Sequence, residues 1–212
     1  MKIFPEDKHR GFHLVSILML ICFCGGIVIT KTYYHPKPQI VTVEKQLPFC
    51  PLTNEMIVMA SYIKQQNPAS PTTVIAKIAY EVYIKAKERH LPPELLLGII
   101  QVESQFNPYA ISSKGAKGLM QVLMTECEDI IDTKYIHDIG YNIECGSCLL
   151  VGHLKAGNGN LSNALFRYVG GDSGYVDKVY RSIGEFILYK SSIDLKAAKE
   201  IVFKADIAME GK

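Results

Sequence analysis

The chain is short of several things that would direct a reading. Its 212 residues show no bias of charge, with 23 Lys and Arg against 21 Asp and Glu, a net of +2. Discounting the first thirty residues changes little, because Lys2, Lys8 and Arg10 are nearly matched there by Glu6 and Asp7. No block of like charge or basic stripe is present, so no nucleic-acid partner is expected. There is no internal repeat, and no run alternates long enough to mark a strand, which argues against solenoids, sandwiches and barrels. The lone Cys145-x-x-Cys148 pair has only His137 and His153 as nearby histidines, short of a zinc set at a plausible spacing. No metal and no cofactor is expected.

An apolar fraction of 48% suits a buried core, and the patterning is helical. Residues 53–66 form a helix candidate. Asn67-Pro68 breaks the chain, and Ser70 is a cap candidate with Pro71 at the first helical position. Ile75, Ile78, Ala79, Val82, Tyr83 and Ala86 give the next helix one apolar face. Leu96, Ile99, Ile100, Glu103 and Phe106 repeat at threes and fours, and Asn107-Pro108 ends that helix. Short helices are expected over 125–131, 143–156, 161–169 and 175–189, and a polar amphipathic one over 192–209. The fold class expected is all-α.

The ends differ in character. Residues 14–30 are uncharged and apolar, follow Lys2, Lys8 and Arg10, and precede Lys31-Thr32-Tyr33-Tyr34. About 20 apolar residues span a bilayer, so 1–30 reads as a cytoplasmic stub with a transmembrane anchor, or as a signal segment. The absence of an Ala-x-Ala site favours the anchor. Residues 31–52, with Pro36, Pro38, Pro48 and Pro51, read as a linker, residues 53–190 as the domain, and 191–212 as a helical tail. Either reading exports the domain. Cys50, Cys127, Cys145 and Cys148 would then meet an oxidising compartment. Sequence does not choose among their pairings; one bridge is expected, from Cys127 to Cys145 or Cys148.

The chemistry is concentrated in residues 94–121. Glu103 stands on an apolar stripe, where desolvation raises a carboxyl pKa and keeps a proton available, as a general acid requires. Beyond it comes a loop with Gly115 and Gly118, where backbone must approach closely. No other acid lies on that stripe; Glu126, Asp129, Asp172 and Asp177 sit in polar contexts typical of solvated surface. The paired carboxylates of most glycosidases are therefore missing.

The run Glu103-Ser104, Phe106-Asn107-Pro108, Ala110, Ser112, Gly115-Ala116 and Gly118-Leu119-Met120-Gln121 resembles the soluble lytic transglycosylase family, with weaker similarity over 92–187. The resemblance implies a lysozyme-like domain that cuts the glycan strands of bacterial peptidoglycan without a cofactor. It also accounts for the single acid. The C6 hydroxyl of N-acetylmuramic acid serves as nucleophile, and attack within one molecule carries a large effective concentration. Glu103 is then the catalytic residue. Ser104 would hold the glutamate or a substrate group, Met120 and Gln121 would line the cleft, and Tyr168 would direct its hydroxyl at the carboxylate. Asn142, Ile143, Gly146 and Leu149 would be scaffold. Val169 stands where the family pattern has asparagine, and Arg167 where it has alanine. Rivals are a muramidase of the same fold, which needs a further base, and a non-catalytic glycan-binding assembly protein. The expected location is the inner membrane with the domain in the periplasm, or outside the cell. Wall remodelling, a secretion or conjugation apparatus, and phage entry or lysis are equally compatible with the sequence.

Overall fold

The computed structural model describes residues 52–127 and 133–207, which all fall within one compact unit, Lys37–Lys212. The expected anchor and most of the linker lie outside the described residues. Among the described residues no helix is long and apolar enough to cross a membrane.

The described chain is mainly helical, as expected. It runs α1 (Asn54–Gln66), α2 (Thr72–Glu88), α3 (Pro93–Ser104), a single turn α4 (Met124–Cys127), α5 (Ile139–Ala156), α6 (Leu161–Tyr168), α7 (Ser173–Ser192) and α8 (Leu195–Ile207). A 3₁₀ turn, Thr133–Tyr135, leads into α5. No strand occurs among these residues; two isolated bridges, Ile111 with Lys117 and Lys117 with Val122, shape the loop after α3.

Capping explains several boundaries. The Thr53 hydroxyl accepts from the Met56 amide at 3.3 Å, Asp138 from Tyr141 at 3.1 Å, and Asn160 from Asn163 at 2.9 Å, each satisfying a donor the helix itself leaves open. Asp138 starts α5 four residues earlier than the apolar period suggested. Ser70 does not cap α2: Pro71 occupies that place without a side-chain bond, and the Ser70 carbonyl accepts from Lys64 Nζ at 3.0 Å. Nor does Asn107-Pro108 end α3. The helix stops at Ser104 because Gln105 and Phe106 both turn left-handed, with φ of 51° and 60°. That strain places the Phe106 ring wholly inside, a burial that contributes about 2–3 kcal/mol.

α3 carries the candidate acid and lies at the centre of the core. Leu95, Leu96, Leu97, Ile99 and Ile100 are all buried, so the buried face is wider than the stripe that the spacing marked. α7 packs along it at Gly98, where a Cβ would stand 2.8 Å from Ile183 Cγ1 and 3.3 Å from the Val179 carbonyl oxygen. A polar relay fixes its last turns: Tyr62 of α1 donates to Gln101 Oε1 at 2.6 Å, and Gln101 Nε2 donates to Glu185 of α7 at 3.2 Å. The segment read as a polar tail joins this core. Ala198 and Val202 of α8 are buried, and Thr72 Oγ1 donates to the Val202 carbonyl at 3.3 Å.

Of the cysteines, Cys145 is disulfide-bonded and Cys148 is free. The Cys148 arm of the expected pairing therefore falls, and the partner of Cys145 lies outside the described side chains.

Candidate active site

Glu103 sits in the last turn of α3, half-buried, with Leu96, Ile99, Ile100 and Phe106 fully buried along its stripe. Burial pushes its pKa above the ordinary carboxylate value, opposed by a smaller effect of the Tyr175 hydroxyl. Tyr175, in the first turn of α7, is buried, and its hydroxyl has no partner that meets hydrogen-bond geometry. It is nevertheless close enough to Glu103 for each to shift the other; burial first, then the Glu103 charge, raises the Tyr175 pKa far above the usual range. An uncompleted contact of this kind favours ionised Glu103 only modestly, so burial dominates.

The loop beside the acid is built around Asn142 of α5, which is 1% exposed. Its Oδ1 accepts from the Met120 amide at 2.8 Å, while Nδ2 donates to the Lys117 and Ile136 carbonyls, both at 2.9 Å. Gly118, at φ 78°, lies so close that a Cβ would fall 2.2 Å from Asn142 Nδ2. Gly146, one turn along α5, leaves room for the Met120 side chain, which a Cβ there would meet at 2.6 Å.

The structure brings the residues expected at the site together, but turns several of them inward. Ser104 is buried and donates to the Ile100 carbonyl at 3.0 Å, not to the glutamate. The Met120 side chain is fully buried, and lines no open surface. Gln121, left-handed at φ 46°, spends Nε2 on the Ala110 and Gly118 carbonyls at 3.1 and 3.0 Å. Tyr168 of α6 donates to the Met120 carbonyl at 2.9 Å instead of to the carboxylate. Burial first, then the charges of Glu103 and Glu126, holds its pKa well above normal, so it stays a donor. Val169 is half-buried against the core.

Two neighbours escaped the sequence. Tyr175 has no spacing relation to Glu103, and only the packing of α7 on α3 joins them. Glu126 is exposed, as read, yet its charge reaches the same tyrosine that Glu103 influences. No local signal marks either.

A buried-stripe acid, an Asn-held glycine loop and a tyrosine on that loop coincide with a known domain. Residues 82–183 match the family model of the Transglycosylase SLT domain. Among its relatives is membrane-bound lytic murein transglycosylase C of Actinobacillus pleuropneumoniae (serotype 5b, strain L20). It is 41% identical over 75 residues, which are 31% of this chain and 20% of the relative. The Haemophilus influenzae (strain PittGG) protein of the same name is 42% identical over 73 residues, 29% of this chain and 20% of that one. The chain thus matches about a fifth of the length of these relatives. A solved structure of an inactive mutant of lytic transglycosylase Slt from Pseudomonas aeruginosa aligns with 62% of this chain and 24% of its own, at 21% identity and a TM-score of 0.41.

Proposed function

We propose that the protein is a peptidoglycan lytic transglycosylase with a lysozyme-like helical domain. It cleaves the β-1,4 bond between N-acetylmuramic acid and N-acetylglucosamine, with Glu103 as the single general acid and base. The observation that carries this reading is the half-buried Glu103 carboxyl, its pKa raised by burial, inside a segment that matches the SLT family model. Protonated Glu103 gives its proton to the glycosidic oxygen as the C1–O4 bond breaks. The carboxylate so formed takes the proton of the C6 hydroxyl as O6 bonds to C1, which leaves a 1,6-anhydro ring and consumes no water. Burial favours the protonated form of Glu103 that the first step needs, and Tyr175 gives its ionised form a neighbouring hydroxyl.

On this reading Tyr168 and Gln121, both half-buried, border the glycan, while Ser104 and Met120 support them from behind. The relatives carry "membrane-bound" in their names, which supports an anchor in residues 1–30 with the domain in the periplasm, or export. In that compartment Cys127 is the proposed partner of Cys145, and a peptide map of the unreduced chain would show the linked pair or refute it.

The rival reading is a muramidase of the same fold, which needs a further base; Glu126, whose charge acts on Tyr168 together with that of Glu103, is the acid to test for that role. Mass spectrometry of peptidoglycan digested by the full chain separates the two. Products ending in 1,6-anhydro-muramic acid, absent with Glu103→Gln, are expected. Reducing ends heavier by one water, lost in Glu126→Gln, would establish the hydrolase instead.

A further inference from the structure

Tyr109 is 72% exposed, the highest value for any large apolar side chain among the described residues, yet it is not loose. Asn107 Oδ1 accepts from its amide at 3.0 Å. Its ring lies 6.0 Å from the His137 imidazole, centroid to centroid, with 34° between the planes. His137 is fixed in turn, because its Nδ1 stands 3.1 Å from the Pro108 carbonyl oxygen. A carbonyl only accepts, so Nδ1 carries the proton and donates, which leaves Nε2 of the neutral ring as an acceptor.

Both rings border the net that shapes the loop beside Glu103. The carbonyl of Ala110, next to Tyr109, accepts from the Gly118 amide at 2.9 Å and from Gln121 Nε2 at 3.1 Å. The carbonyl of Ile136, next to His137, accepts from Asn142 Nδ2 at 2.9 Å. The pair therefore flanks, along the chain, two carbonyls that hold the loop after α3. It is not coupled to the acid, whose pKa responds to burial and to Tyr175. Leaving a tyrosine ring in water forgoes the stabilisation its burial would give, and the pair contributes little to the core. A held aromatic face with a hydrogen-bond acceptor at its edge suits a sugar, which offers C–H groups on one face and hydroxyl or acetamido donors around its rim.

We propose that Tyr109 and His137 form a glycan subsite that takes a saccharide ring of the strand other than the two joined at the cleaved bond. The C–H face packs on Tyr109, and a donor of the sugar bonds to His137 Nε2. The proposal rests on the transglycosylase reading and names where its substrate extends.

The test measures binding of the full chain carrying Glu103→Gln, which preserves the substrate, to long glycan strands stripped of their peptides. Adding Tyr109→Ala is expected to weaken binding about tenfold, the scale of one lost aromatic contact. Tyr109→Phe keeps the affinity, and His137→Ala lowers it by a smaller factor. In the active chain Tyr109→Ala raises KM and leaves kcat unchanged, with an unaltered Tm because the ring is exposed. Unchanged binding in Tyr109→Ala overturns the subsite. So does a loss confined to strands that still carry peptides, which would give the surface to the stem peptide. If the Glu103→Gln chain binds no glycan at all, the transglycosylase reading fails first and the subsite with it.

Discussion

Burial raises the Glu103 pKa, so the ionised carboxylate is the form that the folded state disfavours. Between the ordinary carboxylate value of 4.5 and the raised one, the native state binds more protons than the unfolded chain. Stability is therefore lost as pH rises through that window. Glu103→Gln is expected to melt at a higher temperature than wild type near neutrality, with the gap closing as pH falls below the window. Thermal melts across pH check this, and an unchanged gap would contradict it. Tyr175 acts on the same group in the opposite sense. Tyr175→Phe removes the contact that lowers the Glu103 pKa, so the alkaline limb of the pH–activity profile should move upward, without loss of stability. The second part follows because the hydroxyl has no well-formed partner to lose. An unmoved limb would separate Tyr175 from the acid.

At the scale of elements, the loop between α3 and α5 holds its shape through one side chain. Asn142 uses both amide hydrogens and its oxygen on loop backbone, and Gly118 is the only residue type that fits against it. Gly118→Ala meets left-handed strain together with a clash against a fully bonded side chain. It should cost about 2–4 kcal/mol in denaturant melts and abolish cleavage. Here the sequence was readable in outline. Gly118 announced a close approach and Asn142 a scaffold, but their meeting across 24 positions of chain was not written in either neighbourhood. The inward turn of Ser104 was equally hidden. Whether a serine faces solvent or donates to the carbonyl four residues back depends on what packs over that side of the helix.

For the molecule as a whole, α8 closes the core over α1 and α2. Ending the chain after residue 193 should expose the apolar surface of α1 and α2 that Ala198 and Val202 cover, and it removes the Val202 carbonyl that accepts from Thr72. The expected outcome is a fall in Tm of several degrees, on the scale of about 1–2 kcal/mol, with Glu103 chemistry retained in the cold. A truncated chain as stable as the full one would return α8 to the status of an appended tail.

Local sequence determined the helical class, the apolar faces of α2 and α3, and the placing of one acid on an apolar stripe, because side-chain period and turn chemistry act over a few residues. It also determined the glycine loop after that stripe, since φ above zero is a property of a single position. Only tertiary structure decided that Tyr175 meets Glu103, that Tyr168 grips the Met120 carbonyl, and that α8 belongs to the core. Each of these depends on which helix packs against which. That choice is settled by the fit of whole surfaces, such as α7 against Gly98, and not by any stretch of chain alone.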